Sequence, residues 1–211
     1  MEARHKIVVV GIGPGSPDYV LPIASRTIAA AKVVVGSKRA LDTFSNPGQV
    51  TKVIDKDIMG VLDFVEGQLI SQDVVVMVSG DPGFYSMLAA IRNKFAAKQI
   101  SVIPGISSAQ LAFARLADVW QDANLISMHG RKADDKMLNF QPPHHKLGIL
   151  TDTQHNPATI ARILLTHSWP ENAIVWLCTN LSYDNELVAE MTLVEATETP
   201  GFEHCVMVVK V

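Results

Sequence analysis

Five short runs rich in Val and Ile, near residues 6–12, 32–36, 50–54, 73–79 and 100–103, alternate with stretches of helical periodicity. This alternation constrains the chain most, because a repeated strand–helix–strand order leads to a largely parallel sheet with helices on its faces. The run DVVVMVSG is almost wholly apolar, as expected of a strand covered on both sides. Helices are expected over about 20–31, with Asp18 available near the start, and over 84–96, after the turn GDPG. A third is expected over 57–71, where Ile58, Val61, Leu62, Val65 and Leu69 form one stripe.

The second half changes character. Strands are expected near 124–127, 146–151 and 173–179, and a helix near 157–167 with Asn156 as cap and Pro157 in its first turn. The closing segments ELVAEMTLVEA and HCVMVVKV read as two strands with no helix between them, an antiparallel finish. The polar segment 129–146 reads as a surface loop with at most one short helix. A boundary at 116–123 (LADVWQDA) divides the chain into domains 1–117 and 118–211. The expected fold class is α/β.

With 48% hydrophobic and 18% charged residues in 211, a sizeable core can form. The net charge of −3, without a block of like charges, argues against a nucleic-acid binder but leaves room for a local basic cleft for an acidic small molecule. No apolar run reaches about 18 residues, so no membrane span is expected. Cys178 and Cys205 lie in apolar runs and read as buried free thiols. The start MEARHKIVVVGIG enters a strand at once without a cleavable signal pattern, and a reducing cytoplasm is the expected compartment. His144 and His145, beside two prolines, read as loop residues rather than metal ligands, because a third ligand is missing.

The loop GIGPGS follows the first strand. It lacks the last glycine of G-x-G-x-x-G, where Ser16 stands, and it has no G-K-[ST]. Pro14 and Pro17 remove two N–H donors, so the loop makes a poor phosphate cradle. Two readings remain: a tight strand-to-helix turn, or a turn where Gly11, Gly13 and Gly15 let a bulky ligand lie against bare backbone. SGDPGFYS places Gly80, Gly83 and the carboxylate of Asp81 at the end of the fourth strand, with Asp81 either a helix cap or a ligand-facing group. PGISSAQ repeats the arrangement after the fifth strand, with Ser107 and Ser108 able to cap a helix or bond a ligand. Three glycine-containing turns after strands of one sheet suggest a ligand floor.

The order G-x-G-P-G, then S-G-D-P-x-x-Y, then P-G-I-S-S resembles the tetrapyrrole methylase family, over nearly the whole chain and with its spacing preserved. VVVGSKRALDTF (33–44), ISMHGR (126–131) and CTNLSYDNE (178–186) are similar to the cobalamin-pathway branch that methylates carbon 5 of precorrin-7 or cobalt-precorrin-7. That branch leads one to expect Glu at 179, where this chain has Thr179. The resemblance implies a mostly parallel N-terminal sheet, a mixed C-terminal sheet, a cleft between the two domains, and a homodimer. It implies S-adenosylmethionine as methyl donor, with Pro14, Gly80, Asp81, Phe84, Ser107 and Ser108 as contacts and Leu150 and Leu181 as neighbours. No metal is implied.

The substrate would be a carboxylate-rich tetrapyrrole, with Gly13 beside it and Arg39 and Arg131 reaching its carboxylates; a solvated surface charge is the alternative for each arginine. Tyr19, Tyr85 and Trp120 either flank the ring or pack in the core, and Trp169 closes a helix end. No residue announces itself as a catalytic base. A separate subunit for methylation and decarboxylation at carbon 15 is an implied partner. Two other readings stay open: a methylase of this fold acting on another tetrapyrrole, an rRNA or a protein, and a nucleotide- or dinucleotide-binding module.

Overall fold

In the computed structural model, which describes residues 5–142, 145–202 and 205–211, each Val/Ile run becomes a strand. These are β1 (Ile7–Gly11), β2 (Val33–Gly36), β3 (Val50–Val53), β4 (Val74–Val78) and β5 (Ile100–Ile103). All pair in parallel, in the order β3-β2-β4-β1-β5. The connecting helices are α1 (Pro22–Ala30), α2 (Lys38–Phe44), α3 (Ile58–Gln68) and α4 (Leu88–Lys94). The period of two along β4 explains why it is apolar throughout. Val74, Val76 and Val78 pack with Val61, Leu62 and Val65 of α3 and Ile91 of α4. Val75 and Met77 pack on the other face with Ala24 and Ile28 of α1 and Ala40 and Leu41 of α2.

Three helix boundaries differ from expectation. Asp18 belongs to a 3-10 turn (Pro17–Tyr19), where Ser16 Oγ accepts its N–H, and α1 starts only at Pro22. α2 was not anticipated; a single residue, Ser37, separates it from β2, and its hydroxyl accepts the Ala40 N–H at 3.2 Å. α4 begins at Leu88 rather than 84, because the intervening residues are spent on turns. Phe84 N–H donates to Asp81 O, and Tyr85 takes φ +50°.

A second unit, Ser108–Val211, follows a first that ends at Ser107. It contains α5 (Ser108–Arg115), β6 (Asn124–Ser127), α6 (Asp135–Leu138), β7 (Lys146–Leu150), α7 (Pro157–Thr166) and β8 (Ile174–Thr179). β9 (Leu187–Thr192), α8 (Leu193–Ala196) and β10 (Cys205–Lys210) complete it. The division falls on the N-terminal side of the 116–123 segment, because α5 packs on the second sheet. A Cβ at Gly148 of β7 would lie 3.1 Å from the Phe113 ring of α5.

The second sheet is mixed, in the order β6-β7-β10-β8-β9, with β6 and β7 parallel and the remaining pairs antiparallel. Two expectations are corrected here. The closing strands do not pair with each other, since β10 inserts between β7 and β8. They also have a helix between them: α8 is nucleated by a capping box in which Thr192 Oγ1 accepts Glu195 N–H and the Glu195 carboxylate accepts Thr192 N–H. The box is legible as T-x-x-E. Asn156 caps α7 as expected, and Trp169 closes its far end, donating its backbone N–H to Leu164 O and its indole N–H to Leu138 O at 2.7 Å.

At the amino end of β7, Lys146 is buried and donates to Asp118 Oδ1 (3.0 Å), Val119 O (2.8 Å) and Asp122 Oδ1 (3.1 Å). Lys210, its register partner on β10, reaches the other Asp118 oxygen at 2.9 Å. The bond from Lys210, then that from Lys146, lowers the Asp118 carboxyl to about 2. With Lys146 removed Asp118 still keeps Lys210, so what is lost is the packed stem and the bonds that the ammonium makes. Lys146→Ala should therefore cost about 1–3 kcal/mol, and Lys146→Met, which keeps the packed stem, should cost less; urea unfolding of both variants measures this.

The neighbouring His145 stacks on Trp169, with ring centroids 4.7 Å apart. Its Nδ1 accepts the Gln141 N–H at 3.3 Å, and its Nε2 lies 3.0 Å from the Asn124 side-chain amide Nδ2. Burial lowers the His145 pKa below 6.5. A depressed folded-state pKa means stability present above 6.5 and lost as the pH falls through the folded value. Unfolding followed by tryptophan fluorescence should show this loss as the pH falls below about 6.5, and His145→Gln should flatten it.

Candidate functional site

At the centre of the first sheet the adjacent strands β1 and β4 send their chains to opposite faces. β1 runs on to α1, on the Val75/Met77 side, while β4 runs on to α4, on the other. Loops that part in this way open a crevice at the carboxyl ends of the strands. The chain narrows there to backbone. Gly80 N–H donates to Gly13 O at 2.7 Å, closing an isolated bridge, with φ of +74° at Gly13 and +68° at Gly80. From β5, Gly105 enters the same space. A Cβ on Gly105 would lie 2.3 Å from Gly80 O and 2.9 Å from Gly11 Cα; one on Gly11 would lie 2.6 Å from Gly80 O. Three turns thus meet main chain to main chain.

Asp81 ties two of them together. Its Oδ1 accepts Gly83 N–H at 2.7 Å and its Oδ2 accepts Gly105 N–H at 3.0 Å. It is not a helix cap, since α4 starts only at Leu88. Pro14 follows the bridge, half-buried; Ser107 is buried, and Ser108 is the first residue of α5. Phe84 packs edge-on against Tyr85, with centroids 4.8 Å apart. Arg39, exposed in the first turn of α2, donates to Ser79 Oγ at 3.3 Å, which sets a cation beside the residue preceding Gly80.

The second unit has its own loop-bearing edge. Met128 N–H donates to Leu150 O, and the bend beyond it, with Gly130 at φ +66°, carries Arg131. That bend is pinned by Asp152, which is buried and accepts N–H bonds from Gly130 (2.7 Å), Gln154 (2.9 Å) and His155 (2.6 Å). These bonds, Gly130 foremost, lower its carboxyl to about 2. His129 donates its Nδ1 proton to Thr151 O at 3.1 Å. Leu181, buried, follows β8 at the same edge as Leu150; the two strands are separated by β10, where Val206 pairs with both Leu150 and Cys178. Asn180 and Ser182 flank Leu181 with φ of +49° and +77°, each conformation costing about 1–3 kcal/mol in a residue with a side chain.

Sequence reasoning missed Asp152 and Glu186. Glu186 accepts the Ser182 N–H and pairs with Arg115 of α5, and that pairing lowers its pKa. The signal for Asp152 was an aspartate two residues ahead of Gln154 and three ahead of His155, an Asx-turn spacing. Trp120, 46% exposed, lies before β6 beside Val119, whose carbonyl binds Lys146 at the amino end of β7; within this unit it is remote from Arg131 and Leu150. Cys178 and Cys205 are free and buried, and burial raises both thiols to about 12, so neither is a nucleophile. His145 is engaged by Asn124, Gln141 and Trp169; His144 lies outside the described residues. No helix among the described residues is long and apolar enough to cross a membrane.

The chain is thus of the α/β class with two units, a parallel one with glycine-thinned turns followed by one with a mixed sheet. The chain belongs to the tetrapyrrole (corrin/porphyrin) methylases, whose family model matches residues 6–197. The members of this family are methyltransferases that use S-adenosylmethionine. A probable cobalt-precorrin-7 C(5)-methyltransferase of Methanocaldococcus jannaschii is 32% identical over 193 residues, 90% of each chain. A decarboxylating precorrin-6Y C(5,15)-methyltransferase of a Sinorhizobium species is 29% identical over 173 residues, 81% of this chain and 41% of that one. The solved uroporphyrin-III C-methyltransferase of Thermus thermophilus, complexed with S-adenosylhomocysteine, shares the fold at a TM-score of 0.72 and 18% identity, covering 97% of this chain and 91% of that one.

The glycine contacts make opposite forecasts at two positions. Gly105→Ala forces the strand ends apart and should destabilise by about 1–3 kcal/mol. Gly67→Ala on α3 meets nothing within 4 Å and should stabilise by about 0.5–1 kcal/mol. Urea midpoints of the two variants against the parent decide it.

Proposed function

We propose that the chain is a C-methyltransferase of corrin-ring assembly that transfers the methyl group of S-adenosylmethionine to carbon 5 of precorrin-7 or cobalt-precorrin-7. The observation that carries this reading is the backbone contact of Gly11, Gly80 and Gly105 at a switch point, in a chain of the tetrapyrrole methylase family. The donor chemistry fits what surrounds that point. Side-chain-free backbone admits a bulky ligand, and carbonyl oxygens with a carboxylate suit a cationic one.

S-adenosylmethionine supplies a methyl group already activated by positive sulfur. The chain's residues are then left with binding, alignment and exclusion of water, which is worth about 7–11 kcal/mol when two reactants are held in line. In this reading Pro14, Gly80, Asp81, Phe84, Ser107 and Ser108 contact the donor, and Leu150 and Leu181 adjoin it. Gly13, Arg39 and Arg131 meet the tetrapyrrole, the arginines through its acetate and propionate groups. Transfer moves one positive charge from donor to acceptor, and a proton leaving the acceptor restores its charge. The displacement at carbon requires no metal. The working form is a homodimer in a reducing cytoplasm, in keeping with two unpaired thiols, and carbon 15 is handled by a separate partner.

Calorimetric titration with S-adenosylhomocysteine tests the donor site. The folded parent should bind, and Asp81→Ala, which releases Gly83 and Gly105, should bind about tenfold more weakly. A folded parent that ignores the ligand overturns the reading; unchanged affinity in the variant moves the site elsewhere. Labelled methyl transfer to precorrin-7, and none to earlier tetrapyrroles, tests the acceptor.

A further inference from the structure

The loop after β8 is governed by one carboxylate. Glu186, with a side chain 19% exposed, offers Oε2 to Ser182 N–H at 2.7 Å and to Arg115 Nη2 at 3.2 Å. Its Oε1 accepts from Arg115 Nε, so the guanidinium is gripped at two points and two oxygens serve three donors. The loop also closes on itself, Tyr183 N–H donating to Asn180 O and Glu186 N–H to Tyr183 O. Within these ties stand two non-glycine residues with left-handed backbone, Asn180 and Ser182, on either side of buried Leu181. Such conformations persist only where the surroundings impose them, and they gather at sites that must be pre-shaped. Here the imposing group is identifiable, since Glu186 binds the Ser182 amide directly and is itself anchored on the last residue of α5.

Resting on the methyltransferase reading above, we propose that Glu186, paired with Arg115, is a positioning residue that holds the 180–183 bend in the shape that receives the methyl donor. An ion pair serving only the fold would affect stability and leave donor affinity alone.

Glu186→Ala, Glu186→Gln and Arg115→Gln should be titrated with S-adenosylhomocysteine and examined by backbone amide exchange at 180–183. Glu186→Ala is expected to weaken binding about tenfold, and Glu186→Gln, which keeps an acceptor for Ser182 N–H, to recover part of that loss. Combining Glu186→Ala with Arg115→Gln should add little to the larger single effect, because both remove one interaction. Faster exchange at Ser182 together with parental affinity, in any folded variant, overturns the proposal. If Glu186→Ala does not fold, Glu186→Gln and Arg115→Gln decide by the same readouts. A folded parent that binds no S-adenosylhomocysteine removes the methyltransferase reading itself, which is a different result from a parent that binds and variants that bind equally well.

Discussion

The contact among Gly11, Gly80 and Gly105 is the constraint from which the rest of the first unit follows. Parallel neighbours such as β1, β4 and β5 lie about 4.8 Å apart, and their loops must separate once the ladder ends. Here they do not separate at once. An isolated antiparallel bridge between Gly13 and Gly80 ties the two chains together past the end of the parallel β1–β4 ladder, and Gly105 closes from the other side until its Cα has no room for a substituent. What is gained is a strand edge presented as backbone, with N–H and C=O groups in reach and no side chains to move aside. Parallel pairing, opposite-going helices and side-chain-free turns are all needed at that point, and each depends on the other two.

The same device recurs in both units: a carboxylate that spends its oxygens on backbone N–H groups of loops. Asp81 joins the turns after β4 and β5, Asp152 joins the bend after β6 to the start of the α7 segment, and Glu186 joins the β8 loop to α5. Each bond to a charged acceptor is stronger than one between neutral groups, so a few carboxylates stiffen loops that have little apolar contact of their own. Asp152 is the extreme case, buried and lowered to about 2 by three N–H donors.

The positions of the strands were legible because Val-rich runs of four to six residues bounded by glycine, proline or polar residues have few alternatives. β5 and β6 fall on the expected spans, and the stripe of α3 was visible as Val61, Leu62 and Val65. α2 was hidden by its brevity and by the single residue separating it from β2. α4 was read too long because GDPGFYS gives no helical periodicity yet abuts a helix, and Tyr85 at φ +50° breaks the helix where nothing in its side chain announces a break. The insertion of β10 between β7 and β8 depends on pairing across more than fifty residues, which local pattern does not encode. Among site residues, glycines and prolines signal themselves through spacing. Asp152 and Glu186 do not, since a carboxylate bonded to distant amides looks like any loop acid until the chain is folded.

Rigid placement of loops, rather than a reactive side chain, is the feature common to the two edges. Among the groups that could act as nucleophiles, the two thiols are disabled by burial, and the carboxylates of Asp81, Asp152 and Glu186 are occupied by N–H donors. Chemistry that draws its reactivity from the ligand asks for bare backbone, ordered loops and charge of the right sign, because the barrier then falls chiefly through alignment. Gly13, Gly80, Asn180 and Ser182 take left-handed backbone. Each is fixed by a hydrogen bond from its own loop or from a neighbouring one: Gly13 and Gly80 by their mutual bridge, Asn180 by Tyr183, Ser182 by Glu186. Loops held in this way keep their shape whether or not a ligand is present.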